Sequence, residues 1–405
     1  MLHLRSMSAS GPRDAVDQIP SPVLPEGFTL LQVTPALEAG GVEQATLDLA
    51  AAVVRAGRHS LVATRGGRLE GALQASGAQL VRLPAHSRNP LVMAANAARL
   101  ASIIRREKVS LVHVRSRGPA FSALSAARAT GTPIVATYHG IYGARSGLKR
   151  WYNAVMTRGD LVIANSRFTA AHIIAEHGLA PERIAVVPEG VDTDLFDPAR
   201  VSPQRRAAVR AAWGISRTER RKIVFLPARM SPVKGHGVII EALAGSAARE
   251  EILLIMAGGG GRANYLLELD AAAAVAGLGE QVRRVGPCDD MPAAYAAVDL
   301  VLAPSMVPES FGRTVVEAGA MAVAVIASDL GGPAETVRGG VTGWLAPPGD
   351  AAAWSLALER FLATEAEALA AMGRAARERV QSLYSLTAMC ESTFEVYRRV
   401  LGGPA

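Results

Sequence analysis

Lysines, cysteines and long apolar runs are scarce in this 405-residue sequence. Four of its 43 basic residues are lysines, and its two cysteines, Cys288 and Cys390, have no partnered spacing. The sequence therefore predicts neither a disulfide framework nor a zinc site. No run of 18 uninterrupted apolar residues occurs, which argues against a membrane-spanning helix. Residues 1–27 mix Pro, Ser and charge without an apolar segment, so we expect a disordered tail rather than a signal peptide. A cytoplasmic protein is predicted, either free or peripheral on the inner face of the cytoplasmic membrane.

Basic residues, by contrast, are abundant in the first half of the chain. The formal charge is +7, and residues 1–200 hold 22 Lys and Arg against 15 Asp and Glu, whereas residues 201–405 hold 21 of each. Within residues 99–150 there are ten basic side chains and one acidic one, Glu107. Such a surface attracts anionic lipid, nucleic acid or a phosphorylated substrate.

The order of apolar segments predicts two α/β domains. From Phe28, short Val/Ile/Leu-rich runs alternate with Ala-rich helical stretches, and a polar Arg- and Pro-rich piece interrupts the alternation before it restarts at Lys222. This pattern is typical of two Rossmann-like, doubly wound parallel sheets. We expect a tail (1–27), an N-terminal domain (28–197), a linker (198–221), a C-terminal domain (222–385) and a C-terminal helix (386–405) that packs back towards the N-terminal domain. Because ligands of such sheets bind at the carboxyl ends of strands, facing domains predict a cleft lined by strand-end loops.

Two features of the first domain follow predicted strands. Gly40 and Gly41 open a helix, where bare backbone and the helix dipole suit a phosphate, although a simple tight turn explains them as well. His139, in "TYHG", comes just after a strand and is a candidate to bind a sugar hydroxyl or to stabilise charge in a transition state. A structural histidine is the alternative.

Two cations lie on one predicted strand-end loop of the second domain. In "LPARMSPVKG", Arg229 follows the strand and Lys234 comes five residues later. Two such charges suit a diphosphate leaving group, with solvated loop charges as the alternative. The acidic pairs in "VDTDLFD" and "PCDDMP" are interpreted as structural, with Asp290 as a helix N-cap, so no metal site is predicted.

The stretch "PESFGRTVVEAGAM" carries two glutamates eight positions apart, Glu309 and Glu317. In one continuous helix they would lie about 80° apart, so a shared helix face does not explain them. We expect Glu309 in a loop and Glu317 one turn into a helix. Amides at the helix start between them would face an anion. This arrangement suits a sugar–diphosphate–ribose ligand, and its candidate loop residues are Ser310, Phe311, Gly312, Arg313 and Thr314.

Taken together, residues 28–400 resemble the retaining GT-B glycosyltransferases of family GT4. The resemblance rests on the E-x7-E element together with "AGGVE", "ANSRFTA", "VPEGVDTDLFDP", the Arg229–Lys234 spacing and "ASDLGGPAE". "RSRGPAFSALSAA" and "GLKRWYNAVMTRGDLVIANS" look most like the branch that builds bacterial lipopolysaccharide core or other surface glycans. One departure concerns the family pattern M-A-x-G-x-P-V, in which Ala322 and Ala324 replace the usual Gly and Pro.

The resemblance implies a role for each candidate. Glu317 would hold the ribose hydroxyls of a nucleotide-diphosphate sugar, Arg229 and Lys234 its diphosphate, and Glu309 the transferred sugar. Gly41 would approach the phosphates and His139 the reaction centre. The family generally needs no metal, and no cofactor is implied. The favoured mechanism is attack by the acceptor on the face that the diphosphate leaves, with retention of the anomeric configuration. The alternative is that Glu309 acts as a covalent nucleophile.

The partners implied are a nucleotide-diphosphate sugar and a glycan or lipid-linked acceptor, without nucleic acid. The segment 145–156, with Arg145, Lys149, Arg150, Trp151 and Tyr152, is a candidate to contact an anionic inner-membrane surface, and a merely solvated basic face is the alternative. Two other functions stay open: a bilobed carbohydrate-binding protein and a nucleotide-sugar epimerase with a GT-B-like fold.

Overall fold

The computed structural model describes residues 24–38, 40–143 and 146–402, so most of the predicted tail lies outside the described residues. The chain divides into two compact units. Unit 1 comprises residues up to 164, residues 174–187 and residues from 390 onward; unit 2 comprises residues 165–173 and 188–389. The predicted linker 198–221 therefore groups with unit 2, and most of the C-terminal helix groups with unit 1.

Unit 1 is built on a seven-stranded sheet in the order β3-β2-β1-β4-β5-β6-β7, with every neighbouring pair parallel. Four of its strands are buried along their whole length, as expected for a sheet covered on both faces. The strands are β1 (Thr29–Val33), β2 (His59–Thr64), β3 (Gln79–Arg82), β4 (Leu111–Val114), β5 (Ile134–Tyr138), β6 (Leu161–Ala164) and β7 (Ile184–Val186).

The helices between these strands have identifiable starts. Asn89 accepts a hydrogen bond from the Leu91 amide and is followed by Pro90, a pairing that favours a helix N-terminus. The helices are α1 (Gly41–Arg55), α2 (Glu70–Ala75), α3 (Pro90–Arg106), α4 (Arg117–Thr130), α5 (Gly147–Asn153) and α6 (Arg167–His177), of which residues 167–173 group with unit 2.

Unit 2 has a six-stranded sheet in the order β10-β9-β8-β11-β12-β13, again with parallel neighbours. Its strands are β8 (Lys222–Pro227), β9 (Ile252–Ala257), β10 (Val282–Val285), β11 (Leu300–Ala303), β12 (Val325–Ser328) and β13 (Trp344–Ala346). Its helices are α7 (Pro203–Ala212), α8 (His236–Gly245), α9 (Ala263–Val275), α10 (Met291–Ala296), α11 (Arg313–Ala320), α12 (Pro333–Thr336), α13 (Ala351–Ala363) and α14 (Ala366–Leu383). The last helix, α15 (Leu386–Val400), begins in unit 2 and groups with unit 1 from Cys390 onward.

The prediction of two doubly wound parallel sheets is confirmed. In each unit the strand order reverses direction beside the first strand, at β1/β4 and at β8/β11. The loops that follow these adjacent strands leave the same edge of the sheet, where side chains from distant parts of the sequence meet. This topology decides which of the candidate residues come together.

The departure at Ala322 has a structural consequence. Helix α11 ends at Ala320, and Ala322 adopts a left-handed conformation with φ of 57° before β12 begins. Glycine is the residue that adopts this conformation without steric cost, and an alanine there costs about 1–2 kcal/mol. The chain therefore turns from α11 into β12 through a strained residue.

Candidate functional site

The loops after β8 and β11 lie side by side because these strands pair in parallel, with Leu300 opposite Val224. The Met306 amide donates to the Val233 carbonyl at 2.9 Å and joins the two loops. Gly235 has a φ of 74°, and a Cβ at this position would lie 2.0 Å from the Pro304 carbonyl oxygen. Only glycine allows this close approach.

The same two loops bring Lys234 and Glu309 together. The Lys234 ammonium donates to Glu309 Oε1 at 2.6 Å, and both side chains are about one quarter exposed (24% and 26%). The Ser305 hydroxyl donates to the same carboxylate oxygen. Glu309 is thus an oriented, partly desolvated carboxylate beside a cation.

The loop after β12 holds the Glu309 loop from its other side. Glu309 forms an isolated bridge with Gly331, and its carbonyl accepts the Gly332 amide at 2.8 Å. Gly312, the N-cap residue of α11, has a φ of 90°, and a Cβ there would lie 2.8 Å from Pro333 Cγ. Three strand-end loops are therefore fixed together around the start of α11.

Glu317 is the fifth residue of α11, one turn inside the helix as expected, and is 15% exposed. Arg313 Nε donates to its Oε1 at 2.8 Å, and the Tyr295 hydroxyl donates to its Oε2 at 3.0 Å. Tyr295 is fully buried and packs edge-on against Phe225. Burial, with the Glu317 charge nearby, raises the pKa of Tyr295 well above its ordinary value, so the phenol keeps its proton. The carboxylate is held from two directions.

Ser310 connects three of the sequence motifs. Asn165 Nδ2 donates to Glu189 Oε1 at 2.9 Å and to Ser310 Oγ at 3.1 Å, and Thr169 donates to the Ser310 carbonyl at 3.3 Å. Asn165 belongs to "ANSRFTA", Glu189 to "VPEGVD" and Ser310 to the glutamate loop. All of these residues group with unit 2.

A fourth motif, "ASDLGGPAE", contacts the start of α6 through Glu335. Both carboxylate oxygens of Glu335 accept backbone amides there, from Arg167 at 2.9 Å and from Phe168 at 2.5 Å. Because these amides have no partner within the helix, the carboxylate satisfies them and complements the helix dipole. Glu335 thus joins "ASDLGGPAE" to "ANSRFTA".

The remaining unit 2 candidates differ in accessibility. Arg229 is exposed and makes no hydrogen bond or ion pair with any residue that the structure describes, so its charge is available to a ligand. The Phe311 ring is 4% exposed and packs edge-on against Tyr384, so only its backbone can face a ligand. Thr314, the second residue of α11, is partly exposed.

The unit 1 candidates are His139, Gly40 and Gly41. His139 follows β5 and is partly exposed, and its Nε2 lies 3.5 Å from Nη1 of Arg115. Arg115 follows β4, is 5% exposed and donates from Nε to Gln32 at 2.8 Å. Since a guanidinium has no acceptor, it favours the tautomer of His139 with an unprotonated Nε2. Gly40 caps α1 in an extended conformation, and Gly41 is the first residue of the helix.

A buried polar chain lies below this edge of unit 1. His113, fully buried in β4, lies 2.6 Å from both the Tyr397 hydroxyl and Thr137 Oγ1. Burial lowers the pKa of His113 well below its ordinary value, and the Arg115 charge lowers it further. Tyr397 comes from α15, so the C-terminal helix completes the interior of unit 1.

The acidic pairs have structural roles. Asp290 accepts the Ala293 amide at 3.1 Å and caps α10, as predicted, and it pairs with Arg205 at 2.6 Å. Asp192 accepts the amides of Asp194 and Leu195. Within the described ranges, no group of three or more His, Cys, Asp or Glu side chains could hold a metal ion. Metal independence stays a prediction.

Comparison with known proteins covers most of the chain. Residues 39–195 match the family model described as Glycosyltransferase Family 4, and residues 211–379 match Glycosyl transferases group 1. A glycosyltransferase structure from Rickettsia africae superposes with a TM-score of 0.85 at 30% identity, covering 94% of this chain and 100% of that one. The chain belongs to glycosyltransferase family 4.

Two further proteins resemble this family 4 member over different shares of their length. The structure of Anabaena Alr3699/HepE in complex with UDP-glucose has a TM-score of 0.77 at 24% identity, covers 91% of the chain and 99% of that one, and supports the fold alone. The D-inositol 3-phosphate glycosyltransferase of Salinispora arenicola is 34% identical over 220 residues, 51% of this chain and 48% of the relative. The chain thus spans about half the length of the curated relatives it matches.

The sequence did not point to three residues that contact the candidates, two of them in unit 2 (Tyr295 and Ser305) and one in unit 1 (Arg115). Tyr295 lies inside an apolar helical stretch, where a core role is the ordinary interpretation, and Ser305 lies in the loop just after β11. Arg115 stood out only as part of a basic cluster. None of the three carried a spacing that pointed to its partner.

Proposed function

We propose that the protein is a retaining glycosyltransferase that binds a nucleotide-diphosphate sugar through unit 2. The observation that carries this proposal is the pair of oriented carboxylates on either side of the start of α11. Glu317 is held by Tyr295 and Arg313, and Glu309 is held by Lys234. Two fixed acceptors on either side of a helix N-terminus match a ligand with hydroxyls at both ends and a diphosphate between them.

Each side chain keeps capacity for the ligand. A carboxylate oxygen accepts more than one hydrogen bond, so Glu317 can take ribose hydroxyls while Arg313 and Tyr295 stay in place. The Lys234 ammonium has three donors and can contact a phosphate without leaving Glu309. Arg229, exposed on the same loop, would add a second charge to stabilise the departing diphosphate.

The reaction proposed is attack by the acceptor on the face that the diphosphate leaves, with the leaving phosphate taking the acceptor's proton. His139 would assist at the reaction centre from unit 1. Glu309 already accepts hydrogen bonds from Lys234 and Ser305. These contacts favour a role in orienting the sugar rather than a role as the attacking nucleophile. Substantial activity in Glu309→Gln would exclude the covalent route, and a trapped Glu309–glycosyl adduct would establish it.

The acceptor proposed is a glycan or lipid-linked molecule in the synthesis of lipopolysaccharide or another cell-surface polysaccharide. The Anabaena relative was solved with UDP-glucose, so UDP-glucose is the first donor to test. The name of the Salinispora relative supports an acceptor that carries phosphate. We expect transfer without a metal ion or other cofactor, so EDTA should leave the rate unchanged.

We further propose that α5 contacts an anionic membrane surface. Leu148 is 77% exposed and Trp151 is 52% exposed, which is typical of interfacial anchors. Arg150 already pairs with Glu176 at 3.0 Å, so Lys149 is the cleaner residue to test. Lys149→Glu should weaken binding to anionic vesicles, and unchanged, salt-insensitive binding would contradict contact. Arg145, also part of the predicted contact segment, lies outside the described residues. Within the described ranges, no helix is both long and apolar enough to span a bilayer.

The test is turnover of UDP-, GDP- and ADP-sugars with glycan and lipid extracts as acceptors. We expect release of one nucleoside diphosphate and a glycosylated product with the donor's anomeric configuration. Release of epimerised nucleotide sugar without any acceptor would support an epimerase. Stoichiometric binding of free sugar without turnover would support a carbohydrate-binding protein.

A further inference from the structure

An arginine in unit 1, outside the donor residues, is held in a fixed position by three neighbours. The Arg117 guanidinium lies over the Tyr142 ring, 3.9 Å from its centroid, and 5.8 Å from the centroid of Tyr152. Its Nη1 donates to Asn153 Oδ1 at 2.6 Å. We call Arg117, Tyr142, Tyr152 and Asn153 the arginine cradle.

The cradle is rigid because Asn153 is fixed. Asn153 is fully buried, and its Nδ2 donates to the Tyr142 carbonyl at 3.2 Å, which leaves its oxygen facing Arg117. A single amide thus sets both the loop that carries Tyr142 and the guanidinium stacked on it. The Tyr142 ring also folds over Gly140, where a Cβ would lie 3.2 Å from the ring.

The charge of Arg117 is not neutralised within the part of the chain that the structure describes. Its hydrogen bond goes to a neutral amide, its stacking partners are neutral rings, and no described carboxylate forms an ion pair with it. One of its five N–H groups is used by Asn153, and the side chain is partly exposed. A preorganised guanidinium with free donors is suited to bidentate binding of an oxyanion.

The position of the cradle relates it to acceptor chemistry. Arg117 begins α4 directly after β4, and Tyr142 comes three residues after His139, which follows the neighbouring strand β5. Both therefore lie at the carboxyl edge of the unit 1 sheet. Phe121 and Trp151, with ring centroids 5.5 Å apart, add an apolar surface beside the guanidinium. The surroundings combine one fixed positive charge with aromatic rings.

We propose that the arginine cradle binds a phosphate ester of the sugar acceptor. The proposal rests on the function proposed above and names the acceptor's recognition element. A phosphate ester offers two coplanar oxygens to the guanidinium fork and an organic substituent to the rings. It could belong to a soluble phosphorylated acceptor or to a lipid headgroup.

The test compares full-length wild-type protein with Arg117→Gln, Arg117→Lys and Arg128→Gln. Arg128 is exposed in the last turn of the same helix, so its replacement removes the same charge from elsewhere on α4. The probes are sn-glycerol 3-phosphate, with glycerol as the uncharged control, and phosphatidylcholine vesicles containing about 30% phosphatidylglycerol. Dissociation constants are measured by NMR titration and vesicle sedimentation at low ionic strength.

We expect Arg117→Gln to weaken binding of one phosphate probe about tenfold or more, with Arg117→Lys in between and Arg128→Gln unchanged. If Arg117→Gln loses affinity for sn-glycerol 3-phosphate, the cradle binds a soluble phosphorylated acceptor. If it loses affinity for the vesicles alone, the cradle binds a lipid headgroup. Equal binding by all four proteins, no binding of either probe by wild type, or equal binding of glycerol would overturn the proposal. Thermal stabilisation by nucleotide sugars, measured separately, reports on unit 2 and distinguishes this failure from failure of the proposed function.

Discussion

Removing the hydroxyl of Tyr295 should weaken donor binding while leaving the fold intact. In Tyr295→Phe only one oxygen is lost, so the buried ring keeps its packing against Phe225. Glu317 Oε2 then loses its 3.0 Å hydrogen bond, and Arg313 alone orients the carboxylate. A hydrogen bond to a charged group contributes about 1.5–3 kcal/mol, and water can replace part of it because Glu317 is 15% exposed. We expect a net loss of about 1.4 kcal/mol, or roughly tenfold in donor affinity.

The assay is the dissociation constant of the donor nucleotide by calorimetry, with KM and kcat once turnover is established. KM should rise about tenfold while kcat changes little, since the lost contact orients a binding group. Tyr397→Phe is the matched control, because it removes the hydroxyl of another fully buried tyrosine, one bonded to His113 in unit 1. Unchanged donor affinity in Tyr295→Phe, or an equal loss in Tyr397→Phe, would show that the Tyr295 hydroxyl does not orient Glu317 for the donor.

Three further predictions concern stability. Ala322→Gly should raise the free energy of unfolding by about 0.5–1 kcal/mol, because relief of the left-handed strain exceeds the entropy gained by the unfolded chain. Urea denaturation measures this free energy, and a decrease would contradict the prediction. Gly312→Ala should lower the free energy of unfolding by about 2–3 kcal/mol and reduce donor-induced stabilisation, because residue 312 has a φ of 90° and the added Cβ would meet Pro333. Gly279→Ala is the control and should be nearly neutral, since a Cβ at that position meets open space. Burial lowers the pKa of His236 to about 4 from 6.5, so its neutral form stabilises the protein fully above pH 6.5. That contribution, on the order of 3 kcal/mol, is lost as the pH falls from 6.5 towards 4. His236→Gln should therefore flatten the pH dependence of the unfolding free energy over this range. An unchanged slope in the variant would exclude the contribution.

The strands could be predicted from sequence because burial on both faces leaves a continuous apolar run. "DLVIANS" and "EILLIMAGG" contain β6 and β9, and the residues after them leave the expected edge of the sheet. The positions of Glu309 in a loop and Glu317 one turn into α11 also followed from local signals. These features depend on residues within about ten positions of one another.

The pairings inside the site depend instead on topology. Lys234 and Glu309 are 75 residues apart and meet because β8 and β11 are neighbours, which alternation of strands and helices does not specify. Arg117 and Asn153 are 36 residues apart, and neither has a sequence signal for the other. The departure at Ala322 was visible in the sequence, but its left-handed conformation required the backbone.

The central claim is that unit 2 binds a nucleoside diphosphate through Glu317. Calorimetric titration of wild type and Glu317→Gln with UDP, GDP and ADP tests it most directly. We expect one of the three to bind wild type. Glu317→Gln keeps the shape of the side chain but removes its charge, and should weaken that binding about tenfold or more. Absence of binding by all three, or equal affinity in Glu317→Gln, would contradict it.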